Sequence, residues 1–117
     1  DKAPKIFNVN WFRTDDEGNF IWPGFGDNLR VLLWMLDRCD GKASAKETAI
    51  GYIPDASDID VTGLDLSKET MEELLSVDTE SWLADIANIR EFYALIGDTV
   101  PEELQNQLNA LEARLSK

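Results

Sequence analysis

The sequence contains no histidine and only one cysteine, Cys39. Without histidine the commonest general base is missing, and the imidazole and thiolate donors of a zinc site cannot be assembled. A single cysteine excludes an intramolecular disulfide framework and fits a reducing compartment. Basic residues are scarce. Eleven Lys and Arg stand against 23 Asp and Glu, for a formal charge of −12. That balance argues against nonspecific binding to nucleic acid or to anionic membranes. No apolar run approaches the roughly 18 residues of a membrane span. The longest, Val31-Leu32-Leu33-Trp34-Met35-Leu36, has the length of a core helix segment. Asp1-Lys2-Ala3-Pro4-Lys5 offers no apolar signal region. The expected location is cytoplasmic. The chain also lacks an initiator methionine, which suits a piece of something longer.

What is present is uneven. The 117 residues are 44% apolar, enough for one domain with a true core. Residues 1–54 carry seven basic and eight acidic side chains, whereas residues 55–117 carry four and fifteen. Seven of the eleven aromatics lie between Phe7 and Trp34. The front is therefore aromatic and nearly neutral, and the back is acidic.

In Ile6–Phe12 the odd positions Phe7, Val9 and Trp11 are all apolar, which predicts a half-buried strand. Asp16-Glu17-Gly18-Asn19 is a turn signal, and Phe20-Ile21-Trp22 predicts a second strand stopped by Pro23, pairing with the first. In Pro23–Asn28 two glycines flank Phe25, allowing a sharp turn from which the ring projects. Asp27 or Asn28 is placed to cap a mostly buried helix running from Leu29 to Cys39, with Gly41 as its left-handed stop. Thr48–Ile53 predicts a third strand. Ser67 and Asp78 are candidate caps for two further helices, the second carrying Trp82, Ile86, Ile89, Phe92/Tyr93 and Ile96 as its stripe and closed by Gly97. Thr99-Val100-Pro101-Glu102 predicts a capping box before a last helix striped by Leu104, Leu108, Leu111 and Leu115. The fold class is α+β: a small antiparallel sheet with a central helix, then a mainly helical half.

Few residues are placed to carry chemistry. The Asp15-Asp16-Glu17 and Asp55/Asp58/Asp60 runs lack the spacing of a calcium loop and read as solvated loops. Lys42 and Lys46 lack the glycines of a phosphate loop. Cys39 sits at a helix C-terminal end, where no positive dipole activates a thiolate. No carboxylate pair is singled out by an apolar setting. The unusual feature is the aromatic hairpin with its glycine loop. Phe12, Phe20 and Phe25 fall at strand ends and in a loop, where rings can hold a planar base at roughly 1–3 kcal/mol per stack. Asn28 has both a donor and an acceptor for a purine edge, and backbone N–H groups near Gly24 and Gly26 can assist. The same rings can equally be core packing.

At these residues the sequence resembles a known family. IFNVNWFRTDDEGNFIWPGFGDNLRVLLWMLDRCDGKASAKETAIGYIP, residues 6–54, is similar to the C-terminal part of GTP-dependent phosphoenolpyruvate carboxykinase, most specifically through FIWPGFGDNLRVLLWML. The rest is similar to that family's helical tail. The resemblance implies a lyase of gluconeogenesis, a decarboxylase that converts oxaloacetate and GTP to phosphoenolpyruvate, carbon dioxide and GDP with manganese or magnesium. It implies that Phe12 and Phe25 stack on the two faces of guanine, that Phe20 closes the edge, and that Asn28 hydrogen-bonds the base. Phe25-Gly26-Asp27-Asn28 would be the nucleotide segment. Two departures are an unusually acidic turn at Thr14–Asn19 and Asp27 in place of a longer side chain, both unhelpful to a phosphate. The family's phosphate loop, metal ligands, oxaloacetate-binding residues and lid have no counterpart here. The chain is therefore expected to be a C-terminal fragment spanning residues 1–117, with a guanine-pocket region (1–54) and an acidic tail (55–117), inactive alone. Its expected partners are a guanine nucleotide and the upstream remainder of the enzyme, with self-association through apolar surface left uncovered. The rival readings are an autonomous acidic interaction module with an aromatic core, and a sugar-binding aromatic cluster.

Overall fold

The computed structural model describes residues 3–117. They group into two compact units, one holding the residues up to Lys46 with Tyr52–Ser76, the other Glu47–Gly51 with Val77–Lys117. The elements are α1 (Asn28–Cys39), β1 (Lys46–Thr48), β2 (Gly51–Ile53), α2 (Lys68–Leu74), α3 (Thr79–Ile96) and α4 (Glu102–Leu115). Short 3-10 turns at Phe25–Asp27 and Gly97–Thr99 precede α1 and follow α3. The architecture is small α+β, as the sequence predicts, but its hairpin lies elsewhere.

The two predicted front strands do not form a ladder. Among the described residues this region shows one antiparallel bridge, Thr14 to Phe20. The facing is nevertheless as predicted: Phe7, Val9 and Trp11 are half-buried while the even positions are exposed. Phe7 meets Trp34 edge-on at 6.2 Å, and Trp11 meets Trp22 at 6.5 Å. Alternation fixes which side chains turn inward, but a strand also needs a neighbour for its backbone groups. The predicted third strand is instead the hairpin β1–β2. Gly51, at φ 127°, turns the chain, and the Thr48 hydroxyl donates to the Gly51 carbonyl at 2.7 Å.

In the first unit Trp22, Ile59 and Met71 form the core, with Trp11, Val31, Leu66 and Leu74 packed against them. Ser67 caps α2 by accepting from the Thr70 N–H at 3.1 Å. α1 ends as predicted: Gly41 is left-handed at φ 73°, and the N–H groups of Gly41 and Lys42 return to the carbonyls of Arg38 and Asp37. Its burial differs from expectation. Trp34 is its one buried residue, and Leu29, Leu32, Leu33 and Leu36 form an exposed apolar ridge at helical spacing. Neither Asp27 nor Asn28 caps α1 through its side chain, because both are engaged elsewhere.

In the second unit Ile86, Leu108 and Leu115 form the core, joined by Trp82, Ile89, Tyr93 and Leu111, and by Ala49 and Ile50 from the hairpin tip. Arg114 holds that tip by donating to the Ala49 carbonyl at 2.8 Å. An ion pair between Arg90 and Glu112 ties α3 to α4. Asp78 caps α3 through the Ser81 N–H at 2.6 Å, and Gly97 ends it at φ 75°. Within the stripe Tyr93 packs inward, whereas Phe92 is exposed. The capping box before α4 does not form. Pro101 takes the cap position with no side-chain bond, and the Thr99 hydroxyl turns back to the Ile96 carbonyl. The intervening 3-10 turn uses up the residues a box needs.

Two stability contrasts follow. Ile86→Ala should cost roughly 2–5 kcal/mol, whereas Leu36→Ala, on the exposed ridge, should stay within about 0.5 kcal/mol; urea unfolding of both variants measures this. Gly24 has φ 111° and ψ −162°, a backbone region open essentially to glycine, while Gly26 has ordinary φ and open space around an added Cβ. Gly24→Ala should therefore cost roughly 1–3 kcal/mol and Gly26→Ala almost nothing, read from the same curves.

Candidate functional site

The predicted site residues all fall in the first unit, around the bridge at Phe20 and the first turn of α1. A closed turn presents the first two rings. One Asp15 oxygen accepts from the N–H groups of Glu17 and Asn19 at 3.0 and 2.9 Å, and the other from the Asn19 amide at 3.3 Å. Backbone bonds from Asp15 to Asn19 and from Ile21 to Arg13, each 3.0 Å, complete it. The acidic turn is thus a loop tied by its own carboxylate. Phe12 and Phe20 emerge beside each other with centroids 5.9 Å apart, edge to face. Arg13, between them in sequence, donates to the carbonyls of Leu74 and Ser76, both at 3.2 Å, and so pins the loop to the end of α2.

The rings are not core packing. Phe12 is 71% exposed, Phe20 64% and Phe25 94%. Phe25 opens the 3-10 turn, which the Asp27 N–H closes on the Gly24 carbonyl at 3.0 Å. Of the two glycines beside it, Gly24 alone needs its conformational freedom, because Gly26 is not left-handed. Ring contact joins Phe12 with Phe20, and Phe25 stands apart from that pair.

Two side chains of the Phe25–Asn28 segment are held from behind. Asp27 pairs with Arg30 at 3.0 Å, so its charge is largely matched. Arg30 also donates to the carbonyls of Asp60 at 2.7 Å and Thr62 at 3.1 Å, which ties the acidic loop to the start of α1. The Trp22 indole N–H donates to Asn28 Oδ1 at 2.9 Å. From the sequence Arg30 has no place in the site, and Trp22 only flanks it, with no bond to Asn28 foreseen. The i, i+3 spacing of Asp27 and Arg30 is the one local signal for the first; nothing local signals the second. Among the described residues no group of three or more His, Cys, Asp or Glu side chains is arranged to hold a metal ion.

Hydrogen bonds lower the pKa of four carboxylates, Asp15, Asp55, Asp60 and Glu69, of which Asp15 and Asp60 belong to the loops tied to the site. Asp15 lies below the ordinary carboxylate range, chiefly through the Asn19 N–H and against a smaller opposing desolvation. Asp60 is lowered by hydrogen bonding from Thr62, with the Arg30 charge assisting. A depressed native pKa gives stability that is complete above the unfolded value and is lost as pH falls through the native one. Thermal unfolding should therefore be insensitive to Asp15 titration at neutral pH. Below about pH 4 the melting temperature should fall less steeply in Asp15→Asn than in the unchanged chain.

Comparison with known proteins gives the same direction. The chain matches the family described as phosphoenolpyruvate carboxykinase C-terminal P-loop domain over residues 1–114. It is 50% identical over 117 residues to phosphoenolpyruvate carboxykinase (GTP) of Treponema pallidum (strain Nichols). It is 49% identical over 116 residues to the protein of that name from Arthrobacter sp. (strain FB24), and 48% over 115 residues to that of Chlamydia caviae. These matches cover 99%, 99% and 97% of this chain and 19% of each relative. The chain spans about a fifth of the length of the curated relatives it matches. With the match running through both the aromatic front and the helical back, the chain belongs to the family of phosphoenolpyruvate carboxykinase C-terminal P-loop domains.

Proposed function

We propose that this chain supplies guanine recognition to a GTP-dependent phosphoenolpyruvate carboxykinase, which takes oxaloacetate and GTP to phosphoenolpyruvate, carbon dioxide and GDP. The observation that carries the reading is the exposure of Phe12, Phe20 and Phe25 in a segment that belongs to this family. Three large rings outside the core leave apolar faces in water, and a planar base can cover them. Phe12 and Phe25 take the two faces of the base, Phe20 closes its edge, and Asn28 bonds its polar rim. Gly26 and Asp27 shape the turn between Phe25 and Asn28. The Arg30 partner of Asp27 reduces the repulsion a phosphate would meet there.

The role is binding and selection. A site that hydrogen-bonds one base edge rejects bases that leave its groups unpaired. The phosphate loop and the manganese or magnesium ligands are assigned to the rest of the enzyme, which works in the cytoplasm in gluconeogenesis. The same remainder is the natural cover for the leucine ridge of α1, which otherwise invites self-association. The acidic-module alternative is not favoured, since a docking surface has no need of the exposed aromatic segment, and the family match runs through it.

The test is a titration of the chain with GDP, and with ADP as control, followed by tryptophan fluorescence. Saturable quenching by GDP and not by ADP is expected. Phe25→Ala should weaken GDP roughly tenfold, in line with one lost stack, with little change in the preference for GDP over ADP. Asn28→Ala should lower that preference. GDP binding that ignores both substitutions overturns the pocket assignment.

A further inference from the structure

We infer that Trp22 is the positioning residue that sets base selectivity, by fixing which end of the Asn28 amide faces the base. This rests on the guanine reading above and extends it to a residue outside the pocket.

An asparagine amide offers an acceptor at one end and two donor hydrogens at the other, and half a turn exchanges them. A free amide is therefore a poor judge between purines. It can give a hydrogen to guanine O6 or accept one from adenine N6. An indole N–H removes that choice, because it is a donor only. Its bond to Asn28 at 2.9 Å must run to Oδ1. The oxygen is thereby turned towards the indole, and Nδ2, with its hydrogens, is left as the free end. An edge that only donates pairs with the 6-oxo group of guanine and meets a second donor in the 6-amino group of adenine.

Trp22 is suited to hold that orientation. It is 6% exposed, at the centre of the first unit's core with Ile59 and Met71, and its ring lies against Trp11. Asn28 itself opens α1, so its backbone is fixed by the helix. Rotating the amide would strand a buried indole N–H without an acceptor, and burial makes that costly. Selectivity is thus set by a core side chain acting through Asn28.

The experiment compares GDP and ADP binding to the chain by calorimetry, in the unchanged protein, Trp22→Phe and Asn28→Asp. Trp22→Phe keeps an aromatic ring in the core and removes the N–H. The expected result is that the preference for GDP falls at least about tenfold, a typical worth for one directed hydrogen bond, through stronger ADP binding with GDP little changed. A merely structural role would weaken both nucleotides alike. Asn28→Asp keeps an acceptor for Trp22 but has no hydrogens for O6, so GDP should weaken by a similar factor while ADP does not. This arm stands even where Trp22→Phe fails to fold. An undiminished GDP preference in Trp22→Phe overturns the inference and leaves the guanine reading intact, whereas GDP binding retained in Asn28→Asp overturns the Asn28 contact of that reading and the inference with it. An unchanged chain that binds GDP no better than ADP removes the guanine reading, and this inference with it.

Discussion

One hydrogen bond, from the Trp22 indole to Asn28, joins the core of the first unit to the segment that carries its exposed rings. The indole ring packs with Ile59 and Met71, so its position is set by close packing. Its N–H then sets the first residue of α1. From that point the helix runs to Cys39, and the 3-10 turn before it carries Phe25 outward. The front of the chain thus needs no extended sheet to be ordered. Aromatic contacts, one bridge and a few directed bonds from Trp22, Arg13 and Arg30 replace it.

The two guanidinium groups that organise this region act mainly on backbone oxygens. Arg13 reaches the end of α2, and Arg30 reaches the loop at Asp60 and Thr62. A guanidinium has five donors in a fixed fork, so one side chain can satisfy several loop carbonyls at once. This lets long polar connections sit against a small core. It also offsets the acidic charge near the exposed rings, since Asp27 is matched by Arg30 and the Asp15 carboxylate accepts from its own turn.

Two groups stand out in the exposed apolar surface of the first unit. The rings of Phe12, Phe20 and Phe25 stand in turns, with Phe25 apart from the edge-to-face pair. The leucines of α1 form a continuous ridge with the spacing of a buried helix face. The first suits a flat small molecule, the second a packing surface for protein. A chain covering 19% of its relatives' length carries both.

The sequence by itself determined the α+β class, the helices and most of their ends. Ser67, Asp78, Gly41 and Gly97 do locally what their chemistry dictates, because caps and left-handed stops depend on a few neighbouring atoms. It also determined the inward facing of Phe7, Val9 and Trp11, because alternation is a property of the backbone. The aromatic segment, with its specific order of rings and glycines, was legible as a candidate site and as a family resemblance. The tertiary structure decided the rest. It moved the hairpin to Lys46–Ile53, since strand pairing depends on which backbone finds a partner. It left the leucines of α1 uncovered, since periodicity marks an apolar face but not what lies against it. It freed Asp27 and Asn28 from capping by bonding them to Arg30 and Trp22. Those bonds depend on where a core indole and a guanidinium come to rest, and no local pattern encodes that.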